Sequence, residues 1–155
     1  MIELTMGATR IPSFDGEALR KAREAKGWNR GRLANAVSKT VASVSGWERN
    51  LRTPEAKTLV DLAFALDIDP AELISLPRTE WRMAEYRVTR GLQQVQAAKE
   101  IGIPADRFSY LEAAYERPSE EQMAALAKLY GVTVQEIGAA WERTSTYLRT
   151  NPSDA

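Results

Sequence analysis

The sequence predicts an all-α protein built from two copies of one small module. Identical residues recur 64 positions apart along the two halves of the chain, and this offset holds without a gap. Apolar residues recur at steps of three and four, as in a helix with one buried stripe, and no stretch alternates with the period of a strand. The repeated residues are Arg23, Gly27, Ala34, Ser45, Glu48, Pro54, Leu62, Ala63 and Glu72, which recur as Arg87, Gly91, Ala98, Ser109, Glu112, Pro118, Leu126, Ala127 and Glu136.

Each copy is predicted to contain five helices. In copy one, residues 14–76, they lie near 15–26, 30–37, 41–50, 54–66 and 70–75. Gly27 ends the first of these, Asn29 and Thr40 are N-cap candidates for the next two, and Thr53 precedes a first-turn proline, Pro54. In copy two, residues 79–145, the helices lie near 80–90, 94–101, 105–114, 119–130 and 133–144, separated by Gly91, Pro104, Pro118 and Ser119. We expect residues 1–13 to form an N-terminal arm and residues 146–155 a polar tail.

Composition narrows the class of protein. The 155 residues include no Cys and no His, so the thiolate and imidazole groups that dominate nucleophilic catalysis and zinc binding are absent. We therefore expect no cofactor, no metal site and no enzymatic activity. No apolar run approaches the length of a membrane span, and the first residues lack the pattern of a signal peptide. These features predict a cytoplasmic protein with no membrane partner.

Positive charge is concentrated in copy one although the net charge is +0. Residues 14–54 hold nine cations and four anions, whereas the matching residues 78–118 hold seven cations and six anions. Neutralisation of phosphates by Lys and Arg supplies most of the sequence-independent affinity for DNA. Only copy one therefore carries the basic footprint of a nucleic-acid-binding domain.

Two predicted helices of copy one flank a tight turn at residues 38–40, which allows the second helix to enter a major groove. The run Arg23, Gly27, Leu33 and Ala34, then Trp47, Glu48 and Arg49, then Pro54 and the helix at 59–66 resembles the Cro and phage-repressor family, also called XRE-type. The resemblance covers most of copy one and, more faintly, copy two. It implies two tandem five-helix λ-repressor-like helix-turn-helix domains and double-stranded DNA as a partner.

The resemblance also assigns roles to residues. It implies two structural ion pairs that fix the angle between helices, Arg23 with Glu48 and Arg87 with Glu112. The base-facing positions of the family correspond to Val41, Ala42, Ser43, Ser45 and Gly46. Val and Ala contact only a thymine methyl and Gly has no side chain, so we expect modest direct readout. Small residues also suit close approach to a protein surface, so a protein-contact role for this helix stays open.

Phosphate contacts are predicted on both sides of the turn, because the start of the second helix favours an anion and several cations surround it. The candidates are Asn29, Arg30, Arg32, Lys39, Thr40, Arg49 and Arg52.

Copy two has different chemistry at the matching helix, where Asp106 would repel a phosphate and Tyr110 is expected to be exposed. Two interpretations remain open. Copy two is either a degenerate module for dimerisation or partner binding, or a second DNA reader. The candidate interface residues are Tyr110, Trp81 and Trp141, and the candidate reading residues are Gln93, Gln94, Arg107 and Tyr110.

The function that the sequence favours is a sequence-selective transcriptional regulator, in the simplest case a repressor that acts as a homodimer on two half-sites. The alternative is a protein-interaction module, or an antitoxin-like protein that binds a partner through the same scaffold.

Overall fold

The computed structural model describes residues 13–152, which contain nine α-helices and no strand. Copy one consists of α1 (Gly16–Ala25), α2 (Arg30–Ala36), α3 (Val41–Glu48), α4 (Ala56–Ala65) and a 3-10 helix (Pro70–Leu73). After a 3-10 turn (Arg78–Glu80), copy two consists of α5 (Met83–Val88), α6 (Gln94–Ile101), α7 (Ala105–Glu112), α8 (Glu120–Tyr130) and α9 (Val134–Thr150). The predicted all-α class is confirmed.

The fifth helix differs between the copies. It is a four-residue 3-10 helix in copy one and the 17-residue α9 in copy two. The predicted polar tail, residues 146–155, is wrong up to residue 150, because the helix continues through it. Contacts with the start of copy two explain the extension: the guanidinium of Arg82 lies 4.0 Å from the centre of the Tyr147 ring, and the backbone N–H of Met83 donates to the Thr144 hydroxyl at 3.0 Å.

The predicted N-terminal arm, residues 1–13, lies outside the described residues except for its last member. Ser13 is buried and belongs to copy one, so the prediction is wrong for this residue. Its carbonyl accepts from the backbone N–H of Ser75 at 2.7 Å and from the Ser75 hydroxyl at 3.0 Å. The next residue, Phe14, forms an isolated antiparallel bridge with Ile74, which ties the two ends of copy one together.

The two copies share one hydrophobic core. Leu33 and Leu59 of copy one and Phe108 and Leu126 of copy two are buried members of a single connected cluster. The copies meet where α4 packs on α5. At this contact a Cβ built on Gly91 would lie only 3.2 Å from Cγ2 of Val60. The copies therefore form one packed unit.

Left-handed backbone recurs at the same four positions of each copy. Each position follows the end of a helix, where a residue with positive φ satisfies the last carbonyl groups. The pairs are Gly27 and Gly91, Ser38 and Gly102, Asn50 and Ala114, and Asp67 and Gly131. The duplication therefore extends to backbone conformation even where the residue has changed.

Ala114 is the costliest of these residues, because it adopts φ 61° with a Cβ and without a polar side chain. We expect Ala114→Gly to raise the free energy of unfolding by about 0.5–1 kcal/mol. Denaturant unfolding followed by circular dichroism measures the change. Ala113→Gly is the matched control, since Ala113 has φ −84° and gains nothing from glycine. A stability gain in the control and none at residue 114 would contradict the prediction.

Candidate nucleic-acid interface

The turn between α2 and α3 in copy one has the geometry of a helix-turn-helix. Ser38 reverses the chain with φ 56°, and α3 begins after Thr40. The Thr40 hydroxyl accepts from the backbone N–H of Ser43 at 3.1 Å and donates to the Ser43 hydroxyl at 3.0 Å. Leu33 of α2 and Val44 of α3 are fully buried, so the two helices are anchored on the core. Thr40 thus acts as the N-cap of α3.

The predicted base-facing residues are unequally accessible. Val41 and Ala42 are exposed, and Ser43 and Ser45 are half-buried. Gly46 is buried, because the Arg52 side chain covers it: a Cβ at Gly46 would lie 3.4 Å from Cδ of Arg52. The prediction that Gly46 faces a base is therefore wrong. The accessible part of α3 is its first turn.

The buried carboxylate of Glu48 links α3 to α1 and α2 through hydrogen bonds. Glu48 accepts from Nε of Arg23 at 2.6 Å and from Nη2 of Arg23 at 3.0 Å. It also accepts from Nε of Arg30 at 3.1 Å. Burial by itself raises the pKa of Glu48, but the hydrogen bonds from the two guanidinium groups outweigh it and hold the pKa below its usual value. The ion pair between Arg23 and Glu48 that the resemblance implied is therefore present, and Arg30 joins it as a second arginine.

Arg30 was predicted only as a phosphate contact. The structure shows that it also ties the start of α2 to the end of α3 through Glu48, while 43% of its side chain stays exposed. Sequence reasoning missed this contact because Glu48 was already assigned to Arg23. Copy two has an equivalent contact, in which the carboxamide of Gln94 donates to Glu112.

Four further cations lie on the helix-turn-helix of copy one: Arg32 in α2, Lys39 in the turn, Arg49 at the C-terminal end of α3 and Arg52 just after it. Arg32 lies with its guanidinium 4.7 Å from the centre of the Trp28 ring. Trp28 is half-buried and also holds the Lys26 ammonium at 4.7 Å, so it positions positive charge in addition to packing on the core. Within residues 13–152, the cations with no carboxylate oxygen within 4 Å include Arg32, Lys39, Arg49 and Arg52. Asn29, the remaining predicted phosphate contact, caps α2 by accepting from the backbone N–H of Arg32 at 2.8 Å.

Copy two has the same hydrogen bonds around its buried glutamate, Glu112, but no cation at the four positions equivalent to Arg32, Lys39, Arg49 and Arg52. Arg87 donates to both oxygens of Glu112, at 2.7 and 2.8 Å, as the resemblance implied. Gln94 donates to Glu112 at 3.1 Å and accepts from the Ser109 hydroxyl at 2.8 Å. Both polar groups of the Gln94 side chain thus make hydrogen bonds inside copy two, which argues against the assignment of Gln94 as a DNA-contacting residue. The positions of Arg32, Lys39, Arg49 and Arg52 are occupied in copy two by Gln96, Ile103, Ala113 and Glu116.

The predicted interface residues of copy two separate into exposed and internal ones. Tyr110 is 42% exposed and contacts the exposed Tyr115 edge to face, with ring centres 6.1 Å apart. Trp81 is 1% exposed and donates from Nε1 to the Leu76 carbonyl, so its assignment to an interface is wrong. Trp141 is half-buried and donates to the Glu116 carbonyl at 3.0 Å, which places it in the packing of copy two.

Comparison with known proteins agrees with this geometry. A helix-turn-helix family model matches residues 19–73, and a second model, for a helix-turn-helix domain, matches residues 81–140. Searches of curated proteins and of solved structures gave no match. Within residues 13–152, no helix is long and apolar enough to cross a membrane, and no group of acidic side chains is arranged to hold a metal ion. The chain is a tandem duplication of the XRE-type helix-turn-helix domain, and such domains support a DNA-binding regulatory function.

Proposed function

We propose that the protein is a sequence-selective transcriptional repressor whose copy one inserts the first turn of α3 into the major groove of DNA. The observation that carries the proposal is the set of cations on this helix-turn-helix that have no carboxylate partner among residues 13–152, namely Arg32, Lys39, Arg49 and Arg52, with no cation at any of the equivalent positions of copy two. Cations without carboxylate partners contact phosphates without first losing an ion pair. The asymmetry therefore favours copy one as the reading domain.

Specificity is expected to come from few base contacts. Val41 and Ala42 offer methyl groups to thymine, and Ser43 offers one hydroxyl that already accepts from Thr40. Sequence-dependent shape and flexibility of the DNA supply the remaining discrimination. Two copies of the chain in a homodimer would add a second half-site, which compensates for weak readout by each one. Recovery of bound genomic fragments tests this symmetry, since a homodimer selects a palindromic consensus.

Arg32→Gln combined with Arg49→Ala tests whether these cations contact DNA. Each substitution introduces the residue that copy two has at that position. We expect the slope of log affinity against log salt to flatten by about 1.8, which corresponds to two phosphates and to an affinity loss on the order of 50-fold near 0.1 M salt. Fluorescence anisotropy on a duplex from the recovered fragments measures both quantities. Arg30 is left unchanged because its loss would also disturb Glu48.

Lys99→Gln combined with Arg107→Ala is the matched control, since it removes two cations from copy two. We expect no change of slope in this variant. Binding that ignores salt and the copy-one substitutions would contradict the proposal, and a loss confined to the control would transfer the reading role to copy two.

A second candidate function rests on copy two. The exposed pair Tyr110 and Tyr115 lies where copy one has Gly46 and Leu51, and exposed aromatic residues are enriched at protein interfaces. Copy two would then hold a protein partner or the second chain of a dimer, as in an antitoxin-like protein. Co-purification from the native host tests this function, and recovery of DNA without a stoichiometric protein counts against it.

A further inference from the structure

A cavity of about 420 Å³ lies at the junction between the two copies. Its walls come from the turn at Asp69 and Pro70 at the end of copy one, from Arg78 in the connection, and from Arg90 and Gly131 in copy two. None of these residues is among the predicted DNA contacts of copy one. The cavity is therefore separate from the proposed DNA-binding surface.

At the equivalent position, copy one has an ion pair that copy two lacks. In copy one the ammonium of Lys26 donates to the carboxylate of Asp67 at 2.6 Å and to the Ala65 carbonyl at 2.9 Å. The residues 64 positions further along are Arg90 and Gly131. Copy two has thus kept the cation and replaced the carboxylate by a hydrogen atom. The duplication itself identifies the missing group.

No other carboxylate among the described residues pairs with Arg90 in place of the missing one. Its Nη2 donates to the Tyr130 carbonyl at 3.0 Å, and within residues 13–152 no carboxylate oxygen lies within 4 Å of its guanidinium nitrogens. A Cβ built on Gly131 would lie 2.6 Å from Nη2 of Arg90. The guanidinium therefore occupies the space in which the side chain of an aspartate at residue 131 would begin, and glycine is what admits it there.

The lining of the cavity holds two arginines, Arg78 and Arg90, against one carboxylate, that of Asp69. Arg78 contributes a second guanidinium, which lies 5.0 Å from the centre of the Trp81 ring and likewise has no carboxylate within 4 Å among the described residues. Asp69 is the acidic residue of the lining, and its Oδ1 already accepts from the backbone N–H of Ala71 at 2.8 Å. The lining also includes Trp81, Tyr86 and Tyr130, which are buried and whose rings pack in sequence with centres 5.2 and 6.3 Å apart, so they form a rigid wall of the cavity.

We propose that this cavity binds a small organic carboxylate, which pairs with the Arg90 guanidinium as the Asp67 carboxylate pairs with the Lys26 ammonium in copy one. A charge-assisted hydrogen bond to an arginine is among the strongest that a protein offers to a carboxylate. The side chains of Pro70 and Val132, which are half-buried and also line the cavity, offer apolar contact for the carbon body of the ligand. Because the walls come from both copies, the bound ligand stabilises the chain as a whole.

Calorimetric titration and thermal unfolding with benzoate, acetate and inorganic phosphate test the proposal on the full chain without DNA. We expect benzoate to bind saturably with one site per chain, more tightly than acetate and more tightly than phosphate, and to raise Tm. Benzoate is the probe because it joins one carboxylate to one ring.

Gly131→Asp supplies the missing carboxylate from the chain itself. We expect it to weaken benzoate binding at least about tenfold. An aspartate is compatible with this backbone, because Asp67 has φ 56° in copy one where Gly131 has φ 69°. The guanidinium end of Arg90 must shift, which a flexible side chain allows. Arg90→Gln is the second variant and is expected to lose binding to a similar extent while Tm without ligand stays close to that of the wild type.

Arg117→Gln is the matched control, because Arg117 is an exposed arginine that lies over a different ring, that of Trp141, at 5.2 Å. Its affinity for benzoate should equal that of the wild type. Absence of saturable benzoate binding to the wild type would overturn the proposal. So would binding that survives both Gly131→Asp and Arg90→Gln, or a preference for phosphate over both carboxylates. None of these results bears on DNA binding by copy one.

Discussion

Replacing Glu112 by alanine is expected to lower the free energy of unfolding by about 3–5 kcal/mol. The substitution leaves Arg87 charged and without its carboxylate, in a position where only 1% of the arginine side chain is exposed. Burial lowers the pKa of Arg87, but the adjacent Glu112 carboxylate outweighs burial and raises it, so the guanidinium keeps its charge in the folded protein. The hydrogen bond from Nη1 of Arg87 to the Leu92 carbonyl, at 2.7 Å, involves a neutral acceptor and does not replace the lost negative charge.

Chemical denaturation of the variant measures this loss. Glu142→Ala is the control, since it breaks the ion pair with Arg117, in which the two side chains are 53% and 58% exposed. Exposed pairs contribute little, so we expect a loss below about 1 kcal/mol there. Equal losses in the two variants would show that burial does not determine the importance of the Arg87–Glu112 pair.

Gly16→Ala is expected to destabilise the protein by about 3 kcal/mol, at the upper end of the cost of overpacking. Gly16 begins α1 against the end of α3, and its backbone N–H donates to the Asn50 side chain at 3.0 Å. A Cβ at this position would lie 2.1 Å from the Trp47 carbonyl oxygen and 2.9 Å from that of Glu48. Both are backbone atoms, so relief requires α1 and α3 to separate.

Gly138→Ala is the corresponding control within α9. No atom lies within 4 Å of a Cβ built on Gly138, and alanine is the better helix former. We expect this variant to gain about 0.5–1 kcal/mol. Thermal and denaturant unfolding of both variants would show opposite signs, and a neutral Gly16→Ala would mean that α1 shifts without cost.

The parts of the fold that follow from local patterns were predictable from sequence. The 64-residue offset predicted two modules, and because both ion pairs use residues that repeat at that offset, Arg87 and Glu112 could be placed by analogy with Arg23 and Glu48. Cap residues such as Thr40 predicted where α3 begins, since capping depends on the neighbouring backbone alone.

The remaining features depend on contacts between distant residues. Arg52 covers Gly46 only because the chain turns back after α3, and no spacing in the sequence indicates this. Trp81 is buried because the connection between the copies folds into the core, whereas its position near a domain end suggested an interface. α9 extends to Thr150 because Tyr147 packs on Arg82, which outweighs the polar composition of that segment.

The packing of Gly91 on Val60 has a consequence for any operator that a dimer of this chain would bind. Because a Cβ at Gly91 would lie only 3.2 Å from Val60 and the copies share one core, the angle between the copies is set by close packing rather than by a tether. If dimer contacts lie on copy two, the two α3 helices are held at one separation and one rotation. Each base pair added to the centre of the operator turns one half-site by about 35° relative to the other. Such a protein would discriminate targets by their spacing as strictly as by their bases.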